Sequence, residues 1–239
     1  MEADRYARYG AATGVIAAIL ITVGFFIFGT DIPDTSASAR EWANFFTDHQ
    51  DRIQTGITIV GFGVFFFIWF LGSLRSAIAA AEGGPGRLAS IAFAGGILAA
   101  VFFALAITGA AAAAFRPQEV DPNLTRALND FGTLAGAPGA AGFTALFAAT
   151  AVAGYRFSAL PAPVAGLSAL AAVAQPLAYF IAVTDSGVFA SDGALGLWVP
   201  FLTAIVALIA ISVSLTRAAG PVTATAPPAA AAPPPGPAA

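Results

Sequence analysis

The sequence predicts an all-α fold: a polytopic membrane protein built as a bundle of six transmembrane helices, with short amphipathic helices on its outer face. Three observations predict it. Of the 239 residues, 58% are hydrophobic and 10% are charged, whereas a soluble domain carries about 25% charged residues. The charges divide the chain into six uncharged stretches, each long enough to cross a bilayer. The segments between these stretches carry helix-start signals.

The first span is predicted at 9–30, and the segment SASAREWANFF at 36–46 follows it. Ala37-Ser38-Ala39 has the small-x-small spacing of a signal peptidase site. The preceding apolar stretch is longer than the roughly 7–15 residues of a signal-peptide core, however. Ser38 and Glu41 have the spacing of a capping box, in which serine and glutamate side chains satisfy the first amides of a helix. We therefore expect a surface helix here rather than a cleavage site.

The aromatic residues of this surface helix share one face, and two interpretations of that face stay open. Trp42, Phe45 and Phe46 could act as interfacial anchors in the outer leaflet, with Trp42 at the level of the headgroups. Alternatively, the helix packs over the ends of neighbouring spans.

The other spans are predicted at 53–74, 88–115, 131–155, 157–184 and 193–216. The bulky run GFGVFFFIWF at 61–70 predicts that much of span two faces lipid. Between spans two and three, AEGGPGR at 81–87 predicts a tight turn. Asp121 and Pro122 have the order of a helix cap and first helical residue, so span four is expected to begin as an exposed helix.

Small residues predict that spans three and four pack closely, because helices associate in lipid through close backbone approach. Every fourth residue of span three is small: Ala92, Gly96, Ala100, Ala104 and Thr108. Span four carries Gly132 and Gly136 in a GxxxG spacing. The six-helix domain is expected over 1–217, and the Pro/Ala-rich tail 218–239 is expected to be disordered.

Arginine placement predicts the orientation of the protein in the membrane. With the N-terminus in the cytoplasm, six arginines lie inside (Arg5, Arg8, Arg75, Arg87, Arg156, Arg217) and four outside (Arg40, Arg52, Arg116, Arg126). This distribution follows the positive-inside rule. All ten basic residues are arginine and alanine is abundant, which is typical of a high-GC bacterial genome. The prediction is a multi-pass protein of a bacterial inner membrane, with cytoplasmic N- and C-termini.

The absence of several residue types from the sequence argues against whole classes of function. The chain has no cysteine and no lysine, which excludes thiol and Schiff-base chemistry. Ion-coupled pumps place ionisable side chains deep in their spans, and the six stretches hold none. The single histidine, His49, lies in a predicted outer loop. We expect no catalytic site, cofactor or metal, and the net charge of −3 argues against nucleic acid.

Polar residues in the outer half of the predicted bundle suggest a binding site for a small solute. Gln175 and Tyr179 lie on one face of span five, and Thr58 lies at a similar depth in span two. Arg52 and Asp130 flank the rim. One hypothesis is that these five residues line an outward-facing polar vestibule. The alternative is that they make hydrogen bonds between helices, each worth about 0.6 kcal/mol.

The layout resembles the DUF4386-like six-span bacterial membrane proteins over roughly 10–216. The resemblance is carried by the acidic loop DIPDTSASAREWANFFTDHQDR after span one and by FLGSLRSAI at the end of span two. It implies a six-span membrane fold but no activity, cofactor or functional residue.

Two functions follow as expectations. The first is a non-enzymatic accessory or scaffold protein that binds a membrane protein partner or a second copy of itself in the bilayer. The second is a permease or sensor that binds a small neutral or amphiphilic solute in the predicted vestibule.

Overall fold

Helices account for most of residues 2–219, which are the residues that a computed structural model describes, with side chains from residue 8 onward. The helices are α1 (Glu2–Phe28), α2 (Ala39–Asp48), α3 (Gln50–Glu82), α4 (Arg87–Phe115), α5 (Pro122–Phe157), α6 (Ala162–Ala174) and α7 (Val199–Ala218). A 3₁₀ segment (Gln175–Ala182) continues α6, and a π-helical turn (Ala194–Trp198) leads into α7. A short 3₁₀ turn, Pro117–Glu119, precedes α5.

Six of these helical stretches are long and apolar enough to cross a membrane, which confirms the predicted all-α, six-span fold. Their bounds differ from the predicted ones at span five. Ser158 adopts a left-handed φ of 53° and ends α5, and Pro161 precedes α6, so this span begins at Ala162 instead of 157. The part of the predicted tail from residue 220 onward lies outside the described residues.

The six spans form a closed ring in which each span packs against the next one along the chain. The order is α1, α3, α4, α5, α6 with its 3₁₀ continuation, and α7, which returns to α1. Helix α2 is not part of the ring, because it lies across the start of α3, the end of α4 and the start of α5. The ring brings all six spans around one central space.

Glycines let two pairs of spans approach backbone to backbone. A Cβ added at Gly24 of α1 would lie 2.6 Å from the carbonyl oxygen of Gly56 in α3. In the seam between α4 and α5, a Cβ at Gly109 would lie 2.5 Å from the Leu128 carbonyl oxygen, and one at Gly95 would lie 2.7 Å from the Gly142 carbonyl oxygen. Such distances leave no room for a side chain, so these seams require glycine.

The close packing of α4 on α5 agrees with the expectation, but α4 residues outside the predicted row form that seam. Gly95, Ala99 and Gly109 approach α5, whereas Gly96 makes room for Leu71 of α3. In a span as rich in small residues as α4, several faces offer similar ridges, so the repeat alone does not select the face.

Polar groups at the helix ends are satisfied by local contacts. The predicted capping box is present: Ser38 Oγ accepts from the Glu41 amide, and Glu41 accepts from the Ser38 amide. Asp121 caps α5 as predicted. At the α3–α4 turn, the two carboxylate oxygens of Glu82 accept hydrogen bonds of 2.9 Å from the amides of Leu88 and Ala89.

A buried hydroxyl closes the ring between α7 and α1. Ser212 Oγ donates to the Ala11 carbonyl at 2.6 Å and accepts from the Val15 amide at 3.1 Å. These two backbone groups pair with each other in an uninterrupted helix. The serine therefore bridges the backbone of α1 from a neighbouring span.

Candidate functional site

A cavity of about 80 Å³ lies in the centre of the ring. Its walls come from all six spans and are almost entirely apolar. They comprise Ile21, Val64, Phe67, Ala100, Phe103, Phe143, Phe147, Gln175, Pro200, Phe201, Ala204, Ile205 and Leu208. An apolar cavity of roughly 150 Å³ stays dry and takes up benzene or xenon, so the volume here suits a smaller molecule.

The cavity lies at mid-depth in the spans. Ala100 is near the middle of α4 (Arg87–Phe115), and Phe143 is near the middle of the apolar part of α5. Phe143 and Phe147, one turn apart in α5, have rings 6.0 Å apart and nearly parallel. Small side chains at Ala100 and Ala204, on other walls, leave the space that these rings do not fill.

Irregular helix geometry adjoins the cavity on one side, at Gln175. Pro176 has no amide hydrogen, and span five changes there from α-helix to eight residues of 3₁₀-helix. This is a long run for a 3₁₀-helix, which rarely exceeds about four residues. The π-helical turn that begins span six packs against the 3₁₀ segment. Both spans therefore leave regular α geometry on the same side of the cavity.

An aromatic cluster made of Phe25, Phe26, Trp198 and Phe201 joins α1 to the start of span six. The rings of Phe25 and Phe201 stack with centroids 4.8 Å apart, and Trp198 lies 6.1 Å from Phe25 and 6.0 Å from Phe26. Because Phe201 also lines the cavity, this cluster ties the cavity wall to α1.

Gln175 is the polar side chain of the cavity wall. It is 3% exposed and lies at the junction of α6 and the 3₁₀ segment. Its Nε2 donates to the carbonyl oxygen of Pro200 at 2.8 Å, which links spans five and six. Thr203 Oγ1 lies 3.1 Å from the same carbonyl oxygen and 2.7 Å from that of Val199, so its single hydrogen can donate to either.

The structure does not bring the five predicted vestibule residues together. Of the five, only Gln175 lines the cavity. Thr58 is exposed, and its hydroxyl donates to the Gln54 carbonyl of its own helix. Tyr179 is 41% exposed. The remaining two lie in separate polar contacts: Arg52 with Asp31 and the Thr30 carbonyl, and Asp130 with Arg126.

The 3₁₀ geometry explains why Tyr179 does not follow Gln175. In an α-helix, residues four apart lie about 40° apart around the axis. In a 3₁₀-helix with three residues per turn, the same four residues lie about 120° apart. The change of helix type at Gln175 therefore turns Tyr179 toward the outside of the ring.

The aromatic face of α2 is buried against the protein. Trp42, Phe45 and Phe46 are between 2% and 7% exposed and form an apolar cluster with Ile53 of α3 and with Ala113 and Ala114 of α4. The structure thus places α2 over the ends of the neighbouring spans, with the three aromatic side chains packed against protein. The small alanines at the end of α4 provide the surface on which the aromatic rings pack.

Hydrogen bonds from α3 and α5 hold the loop that precedes α2. Arg126 of α5 donates to the carbonyl of Ala37 at 2.8 Å, and Arg52 donates to the carbonyl of Thr30. Hydrogen bonds from Ser36 hold the pKa of Asp34 below its ordinary value, and those from Ser38 do the same to the pKa of Glu41. Both carboxylates therefore stay ionised as acceptors at neutral pH.

Sequence reasoning found Gln175 but missed the apolar walls around it. The signal that could have found them is the spacing of Phe143 and Phe147 on one face of a span that is rich in small residues. Phenylalanine is common in this chain, with 21 residues, so such a pair does not by itself indicate a cavity.

The fold and the cavity define the class of protein. Six apolar helices in a closed ring make this chain a multi-pass integral membrane protein. Comparison with protein-family models, curated proteins and solved structures found no match to the chain. Its particular description is therefore structural: a six-span ring around a central apolar cavity with one buried glutamine.

Proposed function

We propose that the protein binds a small neutral or amphiphilic molecule within the membrane and acts as a sensor or permease for it. The observation that carries this proposal is the central cavity, to which every span contributes a wall. A ligand there would contact all six spans at once. Its binding would therefore bias the packing of the whole ring, as a sensor or a transport step requires.

The apolar walls support a neutral ligand, because a buried charge without a partner is strongly unfavourable. Of the described residues that line the cavity, none is ionisable. The proposed role is binding and is non-enzymatic.

Xenon binding tests the proposal. Protein in lipid nanodiscs, with isoleucine methyl groups labelled, is titrated with xenon under pressure and followed by NMR. We expect saturable shifts of Ile21 and Ile205, which line the cavity. Ile68 on α3 is 44% exposed at the outer surface and serves as an internal control, with linear shifts only. Linear shifts of all three methyl groups would contradict the proposal.

A pair of variants sharpens this test. Ala100→Leu adds a side chain at a cavity wall that is 4% exposed, whereas Ala94→Leu adds the same atoms at an exposed position of the same helix. Saturable xenon shifts should disappear in Ala100→Leu and persist in Ala94→Leu. Ala204→Leu, which fills the cavity from α7, is the second variant should Ala100→Leu fail to fold.

The second candidate function is that of an accessory or scaffold protein, and the outward face of α3 favours it. Phe62, Phe65 and Trp69 are 52–60% exposed there. A Cβ added at Gly61 or Gly72 on this helix meets none of the described atoms within 4 Å. Small residues beside large ones allow another transmembrane helix to approach closely. The proposed occupant is a helix of a membrane protein partner, with a second copy of this chain as the alternative.

Gly72→Leu tests this role without disturbing the ring. The variant should fold normally but should lose a partner, or a second copy, that co-purifies with the wild type from native membranes. Native mass spectrometry after gentle solubilisation distinguishes the two occupants by mass. A wild type that runs as a monomer, with lipid alone, would exclude the scaffold role.

The proposed location is a bacterial inner membrane with both termini in the cytoplasm, and membership of the DUF4386-like family is part of the same proposal. Because the chain has no cysteine, single cysteines can report the orientation directly. A cysteine at Arg40 or His49 should react with an impermeant reagent in whole cells. One at Gly84, in the α3–α4 turn, should react only after lysis. The reverse pattern would invert the proposed topology.

A further inference from the structure

The buried glutamine has one hydrogen-bonding group that the protein does not use. A proline carbonyl oxygen can only accept, so Gln175 Nε2 must be the amide atom that faces Pro200. In this orientation the other amide atom, Oε1, points away from Pro200. Oε1 makes no hydrogen bond with the described residues.

The Gln175 Oε1 atom is not fully enclosed by protein. The fully enclosed side-chain atoms without a partner among the described residues are Thr22 Oγ1, Trp42 Nε1 and Arg52 Nε. Oε1 of Gln175 is not among them, although the side chain as a whole is 3% exposed. Because Gln175 is one of the residues that line the cavity, we take the accessible surface of Oε1 to face it.

We propose that the ligand of the cavity is a small apolar molecule with one hydrogen-bond donor, such as a short-chain alcohol, whose O–H donates to Gln175 Oε1. This inference rests on the proposed binding function and specifies its ligand class. An unpaired buried acceptor is costly, so a donor in the ligand contributes binding energy that a hydrocarbon cannot. A single water would find only this one polar partner, whereas a stably buried water makes two to four hydrogen bonds.

The same geometry selects against ligands that only accept hydrogen bonds. The amide hydrogens of Gln175 face the Pro200 carbonyl, and the other side chains of the described cavity wall are apolar. An ether or ketone would bury its oxygen against Oε1 without a donor. The site should therefore prefer an alcohol to an ether of the same size. A ligand that leaves a buried polar group unpaired loses more affinity than one that lacks a methylene group.

The test compares 1-butanol with n-pentane and methyl propyl ether, which match it in the number of heavy atoms. Each is titrated into wild-type protein in nanodiscs, with its concentration expressed as a mole ratio to lipid. The Ile21 and Ile205 methyl groups report occupancy, and the ¹⁵N-labelled side-chain amide of Gln175 reports the contact. We expect the alcohol to bind roughly threefold to tenfold more tightly than either analogue. We also expect it alone to shift the Gln175 amide strongly.

Two glutamine variants locate the effect. Gln175→Met keeps the length of the side chain and should abolish the preference for the alcohol over the other two probes. Gln54→Met is the matched control, because Gln54 Nε2 also donates to a carbonyl of a neighbouring span, Ala114 at 3.0 Å, but does not line the cavity. It should keep the preference for alcohol. If Gln175→Met does not fold, the comparison of probes in the wild type still decides the proposal.

The outcomes separate this inference from the function on which it rests. Saturable xenon binding with equal affinity for the three probes would overturn the donor proposal and leave the binding function standing. Saturable binding of neither xenon nor butanol would overturn both. A preference for alcohol that survives Gln175→Met would also overturn the donor proposal, because the hydroxyl of the alcohol would then donate to another acceptor.

Discussion

The two sides of the ring hold their helices together in different ways. Helices α4 and α5 meet backbone to backbone through glycines, such as Gly95 against Gly142, and both keep α geometry along the seam. Spans five and six instead contain a 3₁₀ segment and a π-helical turn, and the buried Gln175–Pro200 hydrogen bond links them. The first arrangement tolerates no added atom. The second arrangement contains irregular helical segments whose hydrogen bonding can change, and it lies beside the cavity.

The largest expected effect is the loss of stability on adding a methyl group to the glycine seam. In Gly142→Ala the new Cβ would overlap the backbone of Ala99 and lie 2.5 Å from the Gly95 carbonyl oxygen. Overpacking of this kind costs about 1–3 kcal/mol. Gly61→Ala is the matched control, since its Cβ meets none of the described atoms within 4 Å. The control should gain up to about 1 kcal/mol from helix propensity.

Unfolding in a denaturing detergent measures both variants under one condition. Equal stabilities of Gly142→Ala and Gly61→Ala would show that the α4–α5 seam is not the rigid side of the ring.

Hydrogen exchange tests the other side of the comparison. Residues 175–182 and 194–198 depart from α-helical hydrogen bonding, so we expect them to open more easily than 95–109 of α4 at similar depth. A difference of about 1.4 kcal/mol in opening free energy corresponds to tenfold faster exchange. Mass spectrometry of the protein in nanodiscs measures the two regions in one sample. Equal protection would remove the proposed contrast in flexibility.

A smaller effect is expected from the hydrogen bond that links spans five and six. Gln175→Met removes the bond to Pro200, but the Thr203 hydroxyl, which is shared between the Val199 and Pro200 carbonyls, can turn to that oxygen. The loss should be about 0.6 kcal/mol, the average for such bonds between membrane helices. Detergent unfolding of this variant beside Gln54→Met provides the measurement. A loss above about 2 kcal/mol would mean that the bond holds the two spans together.

The smallest effect concerns the attachment of α2, and it depends on pH. Hydrogen bonds from Ser38 lower the pKa of Glu41 in the folded state. This contribution to stability is therefore fully present above the ordinary glutamate pKa of about 4.3. It is lost as the pH falls through the lowered folded-state value. Asp34, whose pKa is also lowered, acts in the same direction.

Hydrogen exchange in α2 should accordingly rise as the solution is acidified below that range. Glu41→Gln should flatten part of this pH dependence, and the residual part should come from Asp34. If exchange in α2 slows on acidification, after correction for the intrinsic rate, the prediction is contradicted.

Features set by neighbouring residues could be predicted from the sequence. The spacing of charges located the six spans, and four consecutive residues from Ser38 to Glu41 identified the cap of α2. Features set by the rotation of a helix about its axis could not. In α4 the choice between the rows of Gly95 and Gly96 depends on partners elsewhere in the chain, because both rows are small and apolar.

The candidate site shows the same limit. Gln175 was predicted to matter because a polar residue in a span is costly, but its partner Pro200 is 25 residues away and offers only a backbone carbonyl. The grouping with Tyr179 assumed α-helical spacing, which the 3₁₀ segment does not follow. The cavity itself is space left between side chains of six spans, so no local pattern encodes it.

The contact that Ser212 makes between α7 and α1 bears on whether the order of the spans along the chain can be permuted. Because α7 packs on α1 and Ser212 joins the two, the first and last spans are neighbours like any other consecutive pair. A circular permutant that links α7 to α1 and opens the turn at Gly83–Gly86 would keep every seam of the ring and an even number of crossings. Such a chain should assemble the same cavity from a different starting span.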